Sequence, residues 1–250
     1  MHKTLVVFLI LFLTYLTSNA QVKIYSSLGA GFSVVKPKGA DIGNIDPSQR
    51  FSDTWEILFG VDLNDKWQIE TGYINSTNRY SYDYTYFKSA GYVYHALGVY
   101  SKAYHSDIFP VRIKKKFKKN KVSLSPSIGM IMLKVRRSNE VNANYAELSS
   151  ANVLESYYIS TSSEELFIKD FQTYLEGGLT LQTPFIAKPL SLFVKGSYAY
   201  GLSKMVETQV NYNIEDINID GEFNTTNRLS YLNLSIGLVY TIKEFKKTEQ

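Results

Sequence analysis

The chain has no cysteine. That excludes disulfides, thiol catalysis, Cys-ligated zinc and a lipid anchor on an N-terminal Cys. Proline is scarce, with six residues against 20 Tyr and 14 Phe, a balance that suits a sheet protein. Beyond residue 20 no apolar run approaches the ~18 residues of a helical membrane span. No Pro-, Gly- or Ser-rich linker divides the chain, so residues 21–250 are expected to form one domain. Charge of one sign is lacking too. Without the first 20 residues, which hold one Lys and no acid, 26 basic residues face 23 acidic ones, a net +3. A nucleic-acid binder would gather its basic residues on one face, so no nucleic-acid partner is expected.

Residues 1–20 have the form of a secretory signal peptide. Lys3 supplies the positive end, Leu5 to Leu16 the apolar stretch, and Ser18 and Ala20 the small residues before a cut ahead of Gln21. The alternative, a helical anchor, needs ~20 apolar residues to cross ~30 Å, and about 12 are present.

The rest of the chain is dominated by alternation. From Leu232 to Ile242, Leu232, Leu234, Ile236, Leu238, Tyr240 and Ile242 fall on one face. Asn233, Ser235, Gly237, Val239 and Thr241 fall on the other. This is a strand period over the ~11 residues that a tilted strand needs to cross a bilayer. The same pattern recurs at about 24–34, 55–63, 67–73, 109–117, 122–132, 171–182 and 190–202, which makes eight strands. Phe193 breaks the rule by falling on the polar side, and Ile131 and Leu133 blur the end of their segment.

The connections alternate strictly. Three are short: Asn64-Asp65, Lys118 to Asn120, and Thr183 to Lys188. Four are long, at roughly 36–52, 81–104, 138–166 and 207–228. Tight periplasmic turns and long external loops are the signature of an outer-membrane barrel. A soluble eight-stranded barrel of the lipocalin type, exported to the periplasm, has the same period. The minor face favours the membrane form, because it combines few charges with many small residues. Aromatics near strand ends (Trp55, Trp67, Phe109, Phe117, Tyr200, Tyr240) suit interfacial girdles. The expected fold is therefore all-β, a single eight-stranded antiparallel up-and-down barrel in the outer membrane.

Several segments also carry a resemblance. Ile24-Tyr25-Ser26-Ser27-Leu28-Gly29-Ala30-Gly31, Phe109-Pro110-Val111-Arg112, Ser123-Leu124-Ser125-Pro126-Ser127-Ile128-Gly129 and Leu234-Ser235-Ile236-Gly237-Leu238 resemble the small outer-membrane β-barrel-domain (porin-like) family common in Bacteroidota. The resemblance implies the eight-stranded fold and the outer membrane of a Gram-negative cell, and it implies no substrate. Barrels of this kind commonly end on an aromatic residue that the insertion machinery reads. Here Phe245 is followed by Lys246-Lys247-Thr248-Glu249-Gln250.

The candidate site is the set of charges on the minor face: Lys23, Glu56, Glu70, Arg112, Lys114, Glu176 and Lys195. The interior of an eight-stranded barrel is just wide enough for side chains to fill. These residues are expected to form a polar cluster in the lumen, acting as a structural core or as an ion path. His105-Ser106-Asp107 is the one place where a His, a hydroxyl and an acid meet near the outer rim. Neighbours along a strand point to alternate faces, however, so no catalytic residues are expected. The Tyr80, Tyr82, Tyr84, Tyr86 alternation, followed by Phe87, Tyr92 and Tyr94, suits a recognition surface or a strand continuing beyond the membrane. The basic run from Lys114 to Lys121 surrounds a short turn on the periplasmic side, where anionic headgroups favour it.

The expected role is non-enzymatic, without metal or cofactor: envelope structure, surface interaction, or an accessory part of a secretion assembly. A narrow ion or small-solute channel is the alternative. A lipid-modifying enzyme and a soluble periplasmic binder stand behind it. Expected partners are outer-membrane lipid, the barrel-insertion machinery during biogenesis, and a protein or glycan at the long loops.

Overall fold

A computed structural model describes residues 21–35, 45–88, 92–136, 144–150, 153–167, 171–185, 189–214 and 219–245, with the side chains of part of these. Residues 1–20, expected to be a signal peptide, and the charged C-terminal tail lie outside the described residues. The first four barrel strands are β1 (Val22–Val35), β2 (Ile45–Leu63), β3 (Trp67–Lys88) and β4 (Tyr92–Lys115). A three-residue continuation, β5 (Phe117–Lys119), follows, then β6 (Val122–Arg136). Two strands, β7 (Asn144–Ser150) and β8 (Val153–Phe167), stand outside the barrel. The barrel resumes with β9 (Phe171–Pro184) and β10 (Leu190–Gly201). After the outer pair β11 (Val206–Ile214) and β12 (Ile219–Asn227), it ends on β13 (Tyr231–Phe245).

Around the barrel the order is β4, β3, β2, β1, β13, β10, β9, β6, and a further β4–β6 pairing closes the ring. All pairings are antiparallel. Eight strands close the sheet and leave it no free edge, as an up-and-down barrel requires. First and last strands meet with Leu28 opposite Leu238 and Gly29 opposite Gly237.

The alternation sets which face is which. Leu28, Ile128, Val111, Ile236, Met130 and Leu175 project outward and are largely exposed, Ile128 at 69%. Glu56, Glu70, Arg112, Glu176 and Lys195 point inward and are buried, Arg112 at 1%. A lipocalin-type barrel needs the opposite arrangement. The exported soluble binder is thereby ruled out: this wall is apolar outside and charged within. Trp55 is level with Asn75, eight residues along β3 from Trp67. Phe109 on β4 likewise precedes Phe117 by eight residues. Eight residues at ~3.3 Å cover about 26 Å of strand. Tilted by ~40°, that becomes about 20 Å, near the height of a lipid-facing band between aromatic girdles. At the outer level Trp55, Tyr73 and Phe109 stack in sequence, with ring centroids 5.3 and 5.6 Å apart.

The tight β2–β3 turn follows from its two residues. Asn64 and Asp65 have φ of 55° and 54°, and the Lys66 N–H donates to the Leu63 carbonyl at 3.1 Å. Positive φ at both central positions is the type I′ hairpin, whose twist matches that of the strands. Asn tolerates this region better than most residues. Its Oδ1 also accepts the Gln21 N–H at 2.8 Å, tying the start of the first strand to the turn.

Two expectations change. Where they are described, the long connections are largely strand, not loop. β2, β3 and β4 extend well beyond the girdle, with Tyr82 paired to Tyr100 and Tyr86 to Tyr94, so the Tyr80 to Tyr86 alternation is the continuing strand, one of its two readings. The third and fourth connections form a separate four-stranded sheet ordered β12, β11, β8, β7. The eight expected strands cover only the length that spans a bilayer, although alternation continues beyond the girdle in stretches such as Val206–Ile214. The lumen, likewise, is not polar throughout. Its outer half is uncharged: Ile74, Ile108, Ile131, Leu133, Val135 and Tyr174 are buried there beside Ser76, Ser106 and Gln172. This is why Ile131 and Leu133 blurred the pattern: they point inward at a level where the interior carries no charge.

Replacing Asn64 by Ala is expected to lower the unfolding free energy by about 1–2 kcal/mol, the cost of a left-handed non-Gly residue plus the lost bond to Gln21. Asn64→Gly keeps the backbone freedom and should lose less. Urea unfolding of the two variants side by side separates the contributions.

Candidate functional site

The centre of the site is Arg112, placed by strand register. Glu70 is opposite Arg112, Arg112 is opposite Gly129, and Gly129 is opposite Glu176. One row across four strands thus carries acid, base, gap and acid. Arg112 Nη1 donates to Glu70 Oε1 at 3.1 Å. Its Nε and Nη2 donate to Glu176 Oε2 and Oε1 at 2.5 and 2.9 Å, a bidentate pair. The guanidinium reaches Glu176 by passing over Gly129, where an added Cβ would stand 2.5 Å from the Val111 carbonyl oxygen and 2.9 Å from Arg112 Cγ. Both the neighbouring strand's backbone and the arginine use the space that the glycine leaves.

Lys114, two residues along β4 and on the same face, donates to Glu70 Oε2 at 2.6 Å. Tyr25 OH donates to the same oxygen at 3.4 Å, and its ring lies over Gly60, which has no side chain to obstruct it. The second centre is Glu56. Lys195 Nζ bonds its Oε2, and Ser235 Oγ donates to its Oε1 at 3.0 Å. Three carboxylates therefore meet three cations, all buried, and the six charges cancel.

Six of the seven predicted lumen residues come together here. Lys23 does not. The second residue of β1, it sits at the short-turn rim, half-buried, and pairs with Asp65 at 2.9 Å and Glu244 at 3.5 Å. Lys116 joins it there, 2.7 Å from Asp62 and 3.8 Å from Asp65. Partial burial would raise the Asp65 carboxyl, but the hydrogen bond and charge of Lys23, with Lys116 and Lys118 beyond, hold it below the usual carboxylate value.

Alternation alone did not anticipate Phe193 as a packing element. It is inward and buried, and clusters with Tyr25 and Val239 at the level of the ion pairs. Its breach of the alternation was the visible signal. A small cavity remains between this cluster and the charges, lined by Glu56, Glu70, Lys114, Phe193 and Lys195 among others. Above the ion pairs, Met205 and Leu229 are fully buried. Tyr174 OH donates to the Arg228 carbonyl at 3.1 Å, fastening the segment before β13 to the barrel mouth.

His105, Ser106 and Asp107 are not brought together. His105 is exposed and its Nδ1 lies 3.2 Å from Thr77 Oγ1, whereas Ser106 is fully buried on the other face. Asp107 is held by Arg136 at 2.7 and 2.8 Å and by Tyr73 OH at 2.5 Å. Among the described residues no cluster of His, Cys, Asp and Glu could hold a metal ion.

No protein-family profile and no curated protein matches the chain. Among solved structures it is similar to the outer membrane protein OprG from Pseudomonas aeruginosa, 12% identical over 91% of this chain and 98% of that one, with a TM-score of 0.45. A major outer membrane protein from Thermus thermophilus is 13% identical over 90% and 99% of the two chains, TM-score 0.42. Neisserial surface protein A is 13% identical over 88% and 97%, TM-score 0.37. Similarity at this level carries no function across, and the barrel rests on the chain's own strand pairing.

Truncating Arg112 to Ala leaves two buried carboxylates short of a partner and should cost about 3–5 kcal/mol. The outward Leu238→Ala should cost much less, which thermal unfolding in detergent would show. A second expectation concerns the rim. A carboxyl with a depressed native pKa stabilises above its unfolded value and loses that contribution in acid. Asp65→Asn should therefore be less stable than the parent at pH 7. The gap should close as the pH falls below about 3.8, the ordinary value for Asp.

Proposed function

We propose that this protein is an integral outer-membrane barrel with a closed lumen, that it is not an enzyme, and that it acts through the strands standing above its outer girdle. The observation that carries the reading is the distribution of side chains on each barrel strand: exposed Leu, Ile, Met and Phe outside, a self-neutralising set of six charges within. In water such a wall would aggregate. In a bilayer it is the ordinary surface of a spanning barrel.

The filled interior supports a role other than transport. Ion pairs occupy the inner half, and a packed, uncharged mixture of Ile, Leu, Val and Tyr with Ser, Thr and Gln occupies the outer half. What remains for function is the outer end, where the β12-β11-β8-β7 sheet and the extended β2–β3–β4 strands offer a platform to a protein or glycan. The separation of His105 from Ser106 supports the non-enzymatic part of the reading.

A narrow ion path is the second reading, favoured by the cavity beside Glu56, Glu70, Lys114 and Lys195. Two measurements distinguish these readings. Cell fractionation with and without boiling before SDS gels should place a heat-modifiable band in the outer membrane. Planar bilayers containing the purified protein should then show no discrete current steps. Steps that vanish in Glu56→Gln would establish the channel instead, and absence of the heat-modifiable band would remove the barrel from the membrane.

A further inference from the structure

The short-turn end of the barrel carries an excess of positive charge that its own acids do not neutralise. Asp62, Asp65 and Glu244 are engaged by Lys23 and Lys116. Lys66, Lys115, Lys118, Lys119, Lys121 and Lys243 have no carboxylate partner among the described residues. Five of these six fall in one sector, where β3 begins, β4 passes into β5 and β6 starts, adjacent strands of the barrel. The sixth, Lys243, lies on β13.

Within that sector one lysine is placed differently from the others. Lys115 is directly opposite Trp67 on the outward wall, and its Nζ lies 5.1 Å from the Trp67 ring and 5.7 Å from that of Phe117. Both rings are about half exposed. An ammonium over two aromatic faces is held by their quadrupoles and cannot withdraw into bulk water without losing that contact. Toward mid-barrel, Ile69 pairs with Ile113, and Leu124 is opposite Phe117. All three are exposed on the outer wall. The arrangement is a cation fixed at the periplasmic edge of an apolar strip, with Lys118, Lys119 and Lys121 on the turn beyond.

We propose that Trp67, Lys115 and Phe117, backed by Lys118, Lys119 and Lys121, form a binding site for an anionic phospholipid. Its phosphate rests on the lysine ammonium groups and an acyl chain lies along Ile69, Ile113 and Leu124. The occupant is a lipid and not a free phosphate, because Lys115 stands on the apolar wall between two aromatic rings, where only a headgroup with its chains satisfies both parts. The site rests on the reading of that wall as membrane-facing. It adds a specific lipid at the periplasmic rim.

The test uses the purified full chain, first shown to give a heat-modifiable folded band, in mixed micelles of neutral detergent. Added phosphatidylglycerol should remain bound in native mass spectra and raise the unfolding midpoint. Phosphatidylcholine at the same mole fraction, and inorganic phosphate, should do neither. Each lysine near an anionic headgroup contributes about fivefold in affinity, so K115Q/K118Q/K119Q should weaken phosphatidylglycerol binding on the order of 100-fold. Raised ionic strength should weaken it too. The control K134Q/K204Q, which removes exposed lysines at the opposite end, should leave binding unchanged. Equal retention of phosphatidylcholine, an equal effect of inorganic phosphate, or undiminished binding by the triple variant would overturn the proposal while the barrel stands. Loss of the folded band from the parent chain would instead overturn the membrane reading beneath it.

Discussion

The structure depends on keeping Arg112 charged inside a barrel too narrow to hydrate it. An eight-stranded ring leaves an interior filled by side chains. A buried guanidinium there forfeits its water, a penalty of several kcal/mol even after relaxation. Only well-formed hydrogen bonds to opposite charges can offset it, and Arg112 has three, to Glu70 and Glu176. Those bonds in turn demand a fixed register across β3, β4, β6 and β9, with glycine at position 129. A slip of one residue would turn every acid outward and every leucine inward. The ion pairs therefore act on register as much as on stability. Replacement of such a set by apolar residues often costs little in free energy. It would remove the feature that makes one register unique.

The balance of charge follows from the same constraint. Six ionised groups in a closed space cannot carry a net charge cheaply, and the six found there sum to zero. Lys23 would have left the set unbalanced, and it is the one that lies at the rim, where Asp65 and Glu244 share its charge. Its face was legible in the sequence, but its depth was not. Alternation tells which side of the wall a residue is on, and only the strand's place relative to the turn tells how far in it lies. Glu56, Glu70, Arg112, Glu176 and Lys195 lie far enough from strand ends for face alone to decide, whereas Lys114, one residue from the end of β4, joins the set by reaching inward to Glu70.

The same limit explains what else was legible. All eight barrel strands could be read because their outward face is continuously apolar, from Leu28 to Ile242. β7, β8, β11 and β12 read as connection, although Val206–Ile214 alternates too, with Val206, Val210, Tyr212 and Ile214 opposite Glu207, Gln209, Asn211 and Asn213. Phe193, Ile131 and Leu133 were visible as exceptions. Their meaning needed the third dimension: the lumen is charged in its inner half and uncharged in its outer half, where aliphatic side chains sit beside Ser76, Ser106 and Gln172, so an inward residue need not be polar. The exceptions marked where the interior changes character.

The two ends of the barrel handle charge differently. At the outer end Arg136 and Arg228 have side-chain partners: Arg136 is bidentate to Asp107, and Arg228 reaches Tyr200 OH at 2.6 Å. Lys134 there lies over the Phe171 ring. Strand pairing there continues above the girdle into a sheet whose backbone groups are paired with one another. At the short-turn end, three acids are already committed to Lys23 and Lys116, and the remaining lysines face outward without a protein partner among the described residues. Folding alone gives no reason for that difference, since unpaired like charges around a short turn repel. A partner of opposite charge lying in the plane of the wall would remove the repulsion. It would also anchor the barrel's vertical position, because Lys115 is held between Trp67 and Phe117 at the edge of the apolar band. On this view the inner rim is built for the membrane, the lumen for register, and the outer strands for whatever meets the cell surface.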